Sequence, residues 1–369
     1  MTWGPASLKA AVEAPRRVLS SRVEMVDLSG ASIMTLPVES ATVDFRGEQA
    51  EQWACSLNLT DPRAVPKSFR DPLDPRSLLR ARLWWRIQTP TGWAEVPCGT
   101  YVLEDPDITA DSAGVGITVT GRDPLAQARD NGYGATVLAV GGMTVPAALR
   151  KIFGLVAPQT PLQIADSTTT LPALYELAER DPAKDWTEIA DMAGWVVRTD
   201  RMGTIVAGPR PEPTDVAALW NEGPDCAVVS LRRGIASGSL PNRVVVTSTS
   251  PDVAPPIMGI AEDDDPGSPT WIGRWGPYSR NITSDVIATQ AGADALARMQ
   301  LGRLRAPQET VTVRVPARPD LEYRELISLG SERAGVGGTY RVSGWKLSLA
   351  ADGVAPPLME VTMMQRAIA

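Results

Sequence analysis

Gly99-Thr100-Tyr101-Val102 recurs far along the chain as Gly338-Thr339-Tyr340-Arg341, and an extended stretch follows each copy in the same register. The matching positions that share this offset are Ile108 with Leu347, Gly114 with Gly353, and Val115 with Val354. After a loop that is three residues longer in the second copy, Val119-Thr120 matches Val361-Thr362. Two copies of one β-hairpin predict two copies of one β-domain in a single chain. We therefore expect Tyr101 and Tyr340 to occupy equivalent places.

Composition favours a turn-rich β protein of two or three domains. The chain has 369 residues, 43% of them hydrophobic, with 31 glycines and 32 prolines that punctuate the strands. Its formal net charge is −7, which argues against a surface built to bind nucleic acid or an anionic membrane.

The sequence contains no histidine, so Ser-His-Asp and Cys-His mechanisms are excluded. Its three cysteines, Cys55, Cys98 and Cys226, are far apart and include no CxxC pair. This spacing does not indicate a zinc site or a disulfide framework, and we expect buried free thiols. Mechanisms that use only carboxylates remain open on these grounds.

Residues 1–130 read as strands and turns. Trp53, Cys55, Leu57 and Leu59 alternate with smaller or polar residues, the period of a half-buried strand. Another strand is predicted from Leu83 to Ile87. We interpret this region as a first β-barrel domain.

Residues 131–215 read as a small α+β insert. A helix opens at Thr144, with Gly154 placed to end it, and a second helix is capped by Asp181 and begins at Pro182. A hairpin then runs from Trp195 to Val206, and a proline-rich stretch, 209–213, reads as a linker.

Residues 216–369 read as a second β-barrel domain. A strand is predicted over Arg243–Val246, and residues 251–281 read as a long loop. The Thr289–Leu304 segment reads as a capped helix. Val311, Val313 and Val315 alternate along the next strand, and the second hairpin closes the domain. The fold class is thus mainly β with an α+β insert.

Other residues suggest sites but also have simpler explanations. Trp84-Trp85 and Trp271/Trp275 could stack on sugars, although aromatic residues are also enriched in cores and interfaces. The Glu262–Asp265 carboxylates could hold a cation, but they lack the spacing of a calcium loop and are typical of a solvated loop. Residues 1–17 lack a continuous apolar core, so we do not expect them to act as a secretion signal. The apolar stretch 135–157 is too interrupted for us to expect that it spans a bilayer.

Several of these parts, in this order, resemble the tail hub proteins of long-tailed bacteriophages, minor tail proteins similar to the baseplate hub of contractile tails. The segments that carry the likeness are Pro241–Val246, which opens the second barrel in such hubs, the Thr289–Leu304 helix with Val311–Val313, the Trp186–Val206 helix and hairpin, and the closing Gly-Thr-Tyr strand.

The resemblance implies a structural virion protein at the tail tip, assembled in the host cytoplasm. It also implies no catalytic residues, no metal and no cofactor, and therefore not an enzyme. Such hubs are homotrimers whose two barrels per subunit present a pseudo-sixfold ring to the hexameric tail tube or distal tail protein. Their other face meets a trimeric spike, fibre or other minor tail proteins. The tape measure protein and DNA pass through the lumen, and no segment spans a membrane.

Two alternatives remain open on the sequence. A distal tail ring protein would form a true hexamer without needing two barrels per subunit. A carbohydrate-binding or glycan-cleaving β protein would use exposed tryptophans, and sugar-dependent quenching of their fluorescence would support it.

Overall fold

The computed structural model describes residues 11–12, 18–49, 51–112, 114–134, 137–173, 176–177, 181–221, 228–235, 241–249, 255–284, 287, 289–305, 309–350 and 358–365. Strands dominate these residues, and helices are few. The prediction of a mainly β protein with an α+β insert is confirmed.

The first β-unit consists of seven strands joined by turns. They are β1 (Leu19–Val26), β2 (Ser32–Pro37), β3 (Ser40–Arg46), β4 (Trp53–Leu59), β5 (Arg80–Thr89), β6 (Gly92–Asp111) and β7 (Gly114–Arg122). Short 3-10 turns at Pro62–Ala64 and Pro75–Ser77 begin at capping aspartates that precede proline. The predicted alternation of β4 is confirmed, since every second residue from Trp53 is buried.

The insert packs three helices against short strands around its own core. Its elements are α1 (Pro124–Asn131), β8 (Leu138–Ala139), α2 (Val145–Val156), β9 (Leu162–Ile164), β10 (Glu176–Leu177), α3 (Pro182–Met192), β11 (Trp195–Thr199) and β12 (Ile205–Pro209). The Asp181 carboxylate caps α3 through the Ala183 N–H, as predicted. The core of the insert includes Leu125 of α1, so it begins ahead of the expected boundary at 131.

The remaining elements build a second β-unit and an appended sheet. They are β13 (Val216–Asn221), β14 (Ser230–Ile235), β15 (Arg243–Ser248), β16 (Met258–Glu262), α4 (Ile272–Trp275), β17 (Ser279–Ser284), α5 (Gln290–Arg305), β18 (Glu309–Pro316), β19 (Leu326–Ser331), β20 (Val336–Ala350) and β21 (Leu358–Gln365). The second β-unit comprises β13, β14 and β18–β21, and the appended sheet comprises β15–β17 with α5 packed on it.

Both β-units belong to one continuous 13-stranded sheet. Its main order is β14-β18-β21-β20-β3-β4-β7-β6-β5-β1-β2, with β19 beside β20 and β13 parallel to β19. One hydrophobic core spans both units. At its centre the ring of Trp53 lies 4.3 Å from that of Phe45 and 5.5 Å from that of Trp345. The two units are therefore joined by a shared sheet and a shared core.

Two predictions about the second half were wrong. Arg243–Val246 does not open the second barrel, because β15 pairs with β16 and β17 in the separate three-stranded sheet. The predicted loop 251–281 contains β16, α4 and the start of β17 in the part that the structure describes. Burial of Val244 and Val246 against Ala293 and Ala297 of α5 gives β15 a core of its own.

A smaller prediction about the insert also failed. Helix α2 continues past Gly154 to Val156, because the fully buried Val156 packs into the insert core and holds the last turn. The stretch 209–213, predicted as a linker, runs from the end of β12 toward β13 and is anchored on the way. Arg324 donates to the Pro211 carbonyl and the Glu212 carboxylate, which ties this segment to the second β-unit.

Candidate assembly site

The repeated hairpins have the same pairing register. In the first β-unit Val102 is opposite Arg122, and in the second its counterpart Arg341 is opposite Met364. Each ladder then contains a bulge, after which Ile108 faces Ile117 and Leu347 faces Met359. Each pair in the first β-unit therefore matches its counterpart pair in the second, once the three extra residues of the second loop are allowed for. The matches Gly353 and Val354 lie outside the described residues.

The strands around the hairpins also correspond. In the first unit β6 lies between β5 and β7, and β4 and β3 follow β7. In the second unit β20 lies between β19 and β21, and β18 and β14 follow β21. The units diverge at their far ends, where β1 is antiparallel to β5 but β13 is parallel to β19. Five strands of each unit thus share one plan.

The glycine of each repeat adopts the same unusual backbone conformation. Gly99 has φ +108° and Gly338 has φ +125°, a region that side chains disfavour. At Gly99 a Cβ atom would also lie 2.5 Å from the Tyr101 hydroxyl, whereas space is open beside Gly338. The two copies of the repeat therefore share a positive-φ glycine conformation as well as the Gly-Thr-Tyr sequence.

The two tyrosines are buried at equivalent positions but donate to different acceptors. The Tyr101 hydroxyl donates to the Cys98 carbonyl oxygen. The Tyr340 hydroxyl donates to Glu309 Oε1 over 3.0 Å, and Glu309 also pairs with Arg233 at 2.7 Å. Burial and the neighbouring carboxylate raise the pKa of Tyr340 to about 12. Both phenols therefore remain protonated donors.

The two units join where the far half of β20 pairs with β3. Trp345 faces Phe45, Leu347 faces Val43, and the antiparallel ladder runs on to the end of β20. At Gly344 a Cβ atom would lie 2.3 Å from the Phe45 carbonyl oxygen, so only glycine permits this close approach. The junction is a backbone ladder, which fixes the relative position of the units more firmly than side chains alone.

Arg201, in the hairpin turn of the insert, clamps this junction. Its guanidinium donates to carbonyl oxygens of both units: Pro97 over 3.0 Å in the first, Leu321 over 2.7 Å in the second, and Pro319 beside it. Its Nε donates to Glu322 over 2.7 Å. The guanidinium carbon lies 5.7 Å from the ring centre of Trp53 and 5.9 Å from that of Trp345.

A second set of contacts ties the insert to the first β-unit. The indole N–H of Trp53 donates to the Thr199 carbonyl over 3.1 Å, and the Gln52 side chain accepts from the Thr199 N–H. Asp123 caps α1 through the Ala126 N–H and accepts from the Gln52 and Trp53 N–H groups. Burial raises the pKa of Asp123 to about 6 although these three donors favour its charged form. These hydrogen bonds dock the insert on the first β-unit.

The tryptophans singled out from the sequence divide between core and surface. Trp85 is fully buried, while Trp84 faces the other side, donates to Glu24 and lies under Arg22. Trp275 is 69% exposed, and its indole N–H donates to the Pro269 carbonyl. Trp84 and Trp85 do not form a shared aromatic platform, because they face opposite sides of β5, and Trp271 is half-buried.

The acidic run 262–265 is only partly solvated. Glu262 pairs with Arg243 at 2.9 Å, and the buried Asp263 accepts from the Ser268 and Thr270 hydroxyls. Asp264 and Asp265 are exposed. Asp263 therefore organises the turn that follows β16. Among the described residues, no group of three or more potential ligands is placed to hold a metal ion.

The expectation of buried free thiols is confirmed for Cys55 and Cys98, whereas Cys226 lies outside the described residues. Burial raises the pKa of the Cys98 thiol to about 12. In the described part of the chain, no helix is long and apolar enough to cross a membrane.

Sequence reasoning missed Arg201 and the pairing of β3 with β20. Arg201 sits in a turn whose sequence, Asp200-Arg201-Met202-Gly203, is ordinary for a hairpin. Its acceptors are backbone carbonyls from distant parts of the chain. Because every residue has a backbone carbonyl, the sequence does not indicate which ones an arginine will contact. Gly344 carries a weak signal, because a glycine inside a strand often marks a close backbone approach.

No protein-family model matches the chain, and no curated protein matches it. Solved structures do match it over nearly its whole length. A tail protein from Neisseria meningitidis has a TM-score of 0.67 at 14% identity, covering 94% of this chain and 96% of that one. A 43 kDa tail protein of prophage MuSo2 from Shewanella oneidensis has a TM-score of 0.64 at 14% identity, covering 94% and 98%.

A prophage tail protein from Listeria monocytogenes has a TM-score of 0.55 at 11% identity, covering 95% of both chains. At such low identities the likeness concerns the fold. The chain therefore has the fold of phage tail proteins, as the sequence resemblance indicated.

Proposed function

We propose that this protein is the structural hub of a bacteriophage tail, a homotrimeric ring with pseudo-sixfold symmetry. The observation that carries the proposal is the pair of register-matched β-units within one chain. The end-to-end likeness to tail proteins supports it. Three chains with two similar units each supply six similar positions, which suits a hexameric tube while keeping a threefold subunit arrangement.

We assign the parts of the chain to the two faces of this ring. The β-units, formed by β1–β7 and by β13, β14 and β18–β21, present the pseudo-sixfold surface to the tail tube or the distal tail protein. The insert, which begins with α1 and ends with β12, and the appended sheet occur once per chain. A face built from them is threefold and fits a trimeric spike, fibre or other minor tail protein below.

A structural role also accounts for the chemistry of the chain. The junction is held by buried hydrogen bonds and aromatic packing around Arg201, whose function is to fix geometry. The net charge of −7 is compatible with a lumen that lets DNA and the tape measure protein pass without retaining phosphate groups. The protein would act at the tail tip of the virion after assembly in the host cytoplasm.

The absolute mass of the purified chain, measured by light scattering at several concentrations, tests this proposal. A mass near three chains of 39.4 kDa supports the hub. A mass near six chains favours a hexameric distal tail ring instead. Quenching of tryptophan fluorescence by sugars, lost on changing the partly exposed Trp84, would favour a carbohydrate-binding protein.

A further inference from the structure

One edge of β6 lacks a neighbouring strand along half its length. Residues 92–102 of β6 pair with β5, and residues 102–111 pair with β7. Because Val102 pairs with both strands, they lie on opposite sides of β6. Beyond Val102 the side that β5 occupied has no strand beside it among the described residues. Exposed strand edges of this kind are templates for pairing with another chain.

In the second β-unit the equivalent edge is occupied. By the offset of the Gly-Thr-Tyr repeat, Asp107–Ala110 correspond to Lys346–Leu349 of β20, which pair with β3 on the side of β19. Burial differs accordingly. Leu347 is fully buried beneath that pairing, whereas its counterpart Ile108 is 39% exposed. The free edge of β6 therefore corresponds to the β20 edge that pairs with β3, but without a strand beside it in the described part of the chain.

The strand equivalent to β3 is β14. Thr42 of β3 faces Ser56 of β4, which faces Thr120 of β7. Likewise, Arg232 of β14 faces Thr312 of β18, which faces Thr362 of β21, the counterpart of Thr120. β14 ends the 13-stranded sheet, and its outer edge has no strand beside it in the described part of the chain.

We propose that the β6 edge of one copy pairs with the β14 edge of a second copy, antiparallel and in the register of the β20–β3 junction. That register places Asp107 opposite Gly234, Ile108 opposite Arg233, Thr109 opposite Arg232, and Ala110 opposite Leu231. The inference deepens the proposed function and rests on it, since it specifies the seam between neighbouring subunits of the ring.

The charges along the two edges are complementary. The β6 segment 104–111 carries four acidic residues and no basic one, and β14 carries two arginines and no acidic residue. Glu104 is already paired with Arg122, and Arg233 with Glu309, so the complementarity rests on Asp107, Asp111 and Arg232. In the proposed register Asp107 and Asp111 are the diagonal neighbours of Arg232, within reach of a long side chain. Each copy would thus attract the next at this edge.

Apolar groups on the two edges also match in the proposed register. Arg233 takes the place that Val43 has in β3, and its guanidinium is held by Glu309 at 2.7 Å. Its aliphatic stem can therefore cover Ile108 while the charge stays paired. Leu231, opposite Ala110, already packs against the main core. Pairing would remove the exposed apolar surface of Ile108 from water.

The seam joins different surfaces of successive copies, so it is heterologous and closes into a ring when the rotation between copies permits. The junction within a chain and the seam between chains would then alternate around the ring. This alternation is the arrangement that makes two linked β-units behave as two positions of one sixfold repeat.

Disulfide trapping in the full-length protein tests the seam. The variant carrying both Thr109→Cys and Arg232→Cys should form reducible covalent trimers on mild oxidation, because directly opposed residues bring their Cβ atoms close. A control variant carries Thr35→Cys and Arg232→Cys. Thr35 is exposed on β2, the strand at the opposite end of the sheet. Both variants also carry Cys226→Ser, and burial of Cys55 and Cys98 keeps the remaining native thiols unreactive.

The outcomes separate the seam from the hub. The seam is contradicted if the protein has the mass of a trimer but the 109/232 pair does not cross-link, or if the 35/232 pair cross-links instead. Either result leaves the proposal of a trimeric hub intact. Cross-linking that ends at dimers or extends to open chains supports the seam and contradicts the trimeric hub. A chain that stays monomeric at the highest concentration and forms no cross-link overturns the seam.

Charge reversal supplies an independent measurement. Arg232→Glu should raise the concentration at half-assembly about tenfold, through repulsion from the β6 edge. Adding Asp107→Lys and Asp111→Lys should restore assembly. The matched control, Arg280→Glu, changes an exposed arginine on β17 of the appended sheet and should have no effect. Equal effects of Arg232→Glu and Arg280→Glu would contradict the proposed charge pairing.

Discussion

Tyr101 and Tyr340 occupy the same register position in two equivalent strands, one donating to a backbone carbonyl and the other to a carboxylate. The backbone plan is therefore repeated while the hydrogen-bond network around it has diverged. In the second unit the tyrosine joins a chain of polar groups that continues through Glu309 to Arg233 of β14. These polar contacts thus connect Tyr340 of the repeat to β14, the edge strand that we assign to subunit contact.

This difference predicts unequal costs for removing the two hydroxyls. Tyr340→Phe leaves the buried Glu309 carboxylate without one donor, and hydrogen bonds to charged groups contribute more than neutral ones. We expect a loss of about 2 kcal/mol in the free energy of unfolding, against about 1 kcal/mol for Tyr101→Phe. Urea unfolding followed by tryptophan fluorescence measures both. A larger loss for Tyr101→Phe would contradict this account.

The glycines of the repeat offer a second matched pair. Gly99→Ala and Gly338→Ala both place a side chain at a positive φ, a strain of about 1–3 kcal/mol. At Gly99 the new Cβ also meets the Tyr101 ring and hydroxyl, which adds about 1–2 kcal/mol of overpacking. We expect the Gly99 variant to melt at the lower temperature by calorimetry. Equal melting temperatures would show that the contact with Tyr101 relaxes freely.

Replacing Arg201 tests the clamp at the junction. Arg201→Lys keeps the positive charge but loses the planar set of donors, so buried carbonyls of both units are left without partners. We expect a loss of about 3 kcal/mol in the free energy of unfolding. The control Arg198→Lys changes a half-buried arginine of β11 and should cost about 0.5 kcal/mol or less. Similar losses in the two variants would contradict the role of Arg201.

Asp123 predicts a pH dependence of known sign. Its folded pKa, about 6, lies above the unfolded value, so its contribution to stability is present at low pH and disappears as pH rises through 6. Asp123→Asn removes this titration. The stability of the wild type relative to this variant should therefore increase by about 2 kcal/mol from pH 7.5 to pH 4.5. A difference that stays constant, or that falls on acidification, would contradict the raised pKa.

Local patterns in the sequence predicted the elements that local physics determines. The alternation from Trp53 to Leu59 gave a strand, and Asp181 before Pro182 gave the start of α3, because both signals act within a few residues. The Gly-Thr-Tyr repeat also predicted the shared register of β6 and β20, since a repeated hairpin carries its pairing pattern with it.

Partners across the fold could not be predicted in the same way. Val244 and Val246 alternate as in a barrel strand, but their neighbours are supplied by α5 and give them a separate sheet. Arg201 resembles any arginine in a turn, since its acceptors are carbonyls of the distant residues Pro97, Pro319 and Leu321. The sheet to which β15 belongs and the role of Arg201 both depend on residues that are distant in the sequence.

The rotational symmetry of the assembled ring tests the central claim most directly. End-on class averages from electron microscopy of the purified, lightly cross-linked protein would measure it. The account predicts a ring of three chains with a strong threefold component and six similar lobes, two from each chain. A ring of six identical chains, or particles with no threefold component, would contradict it.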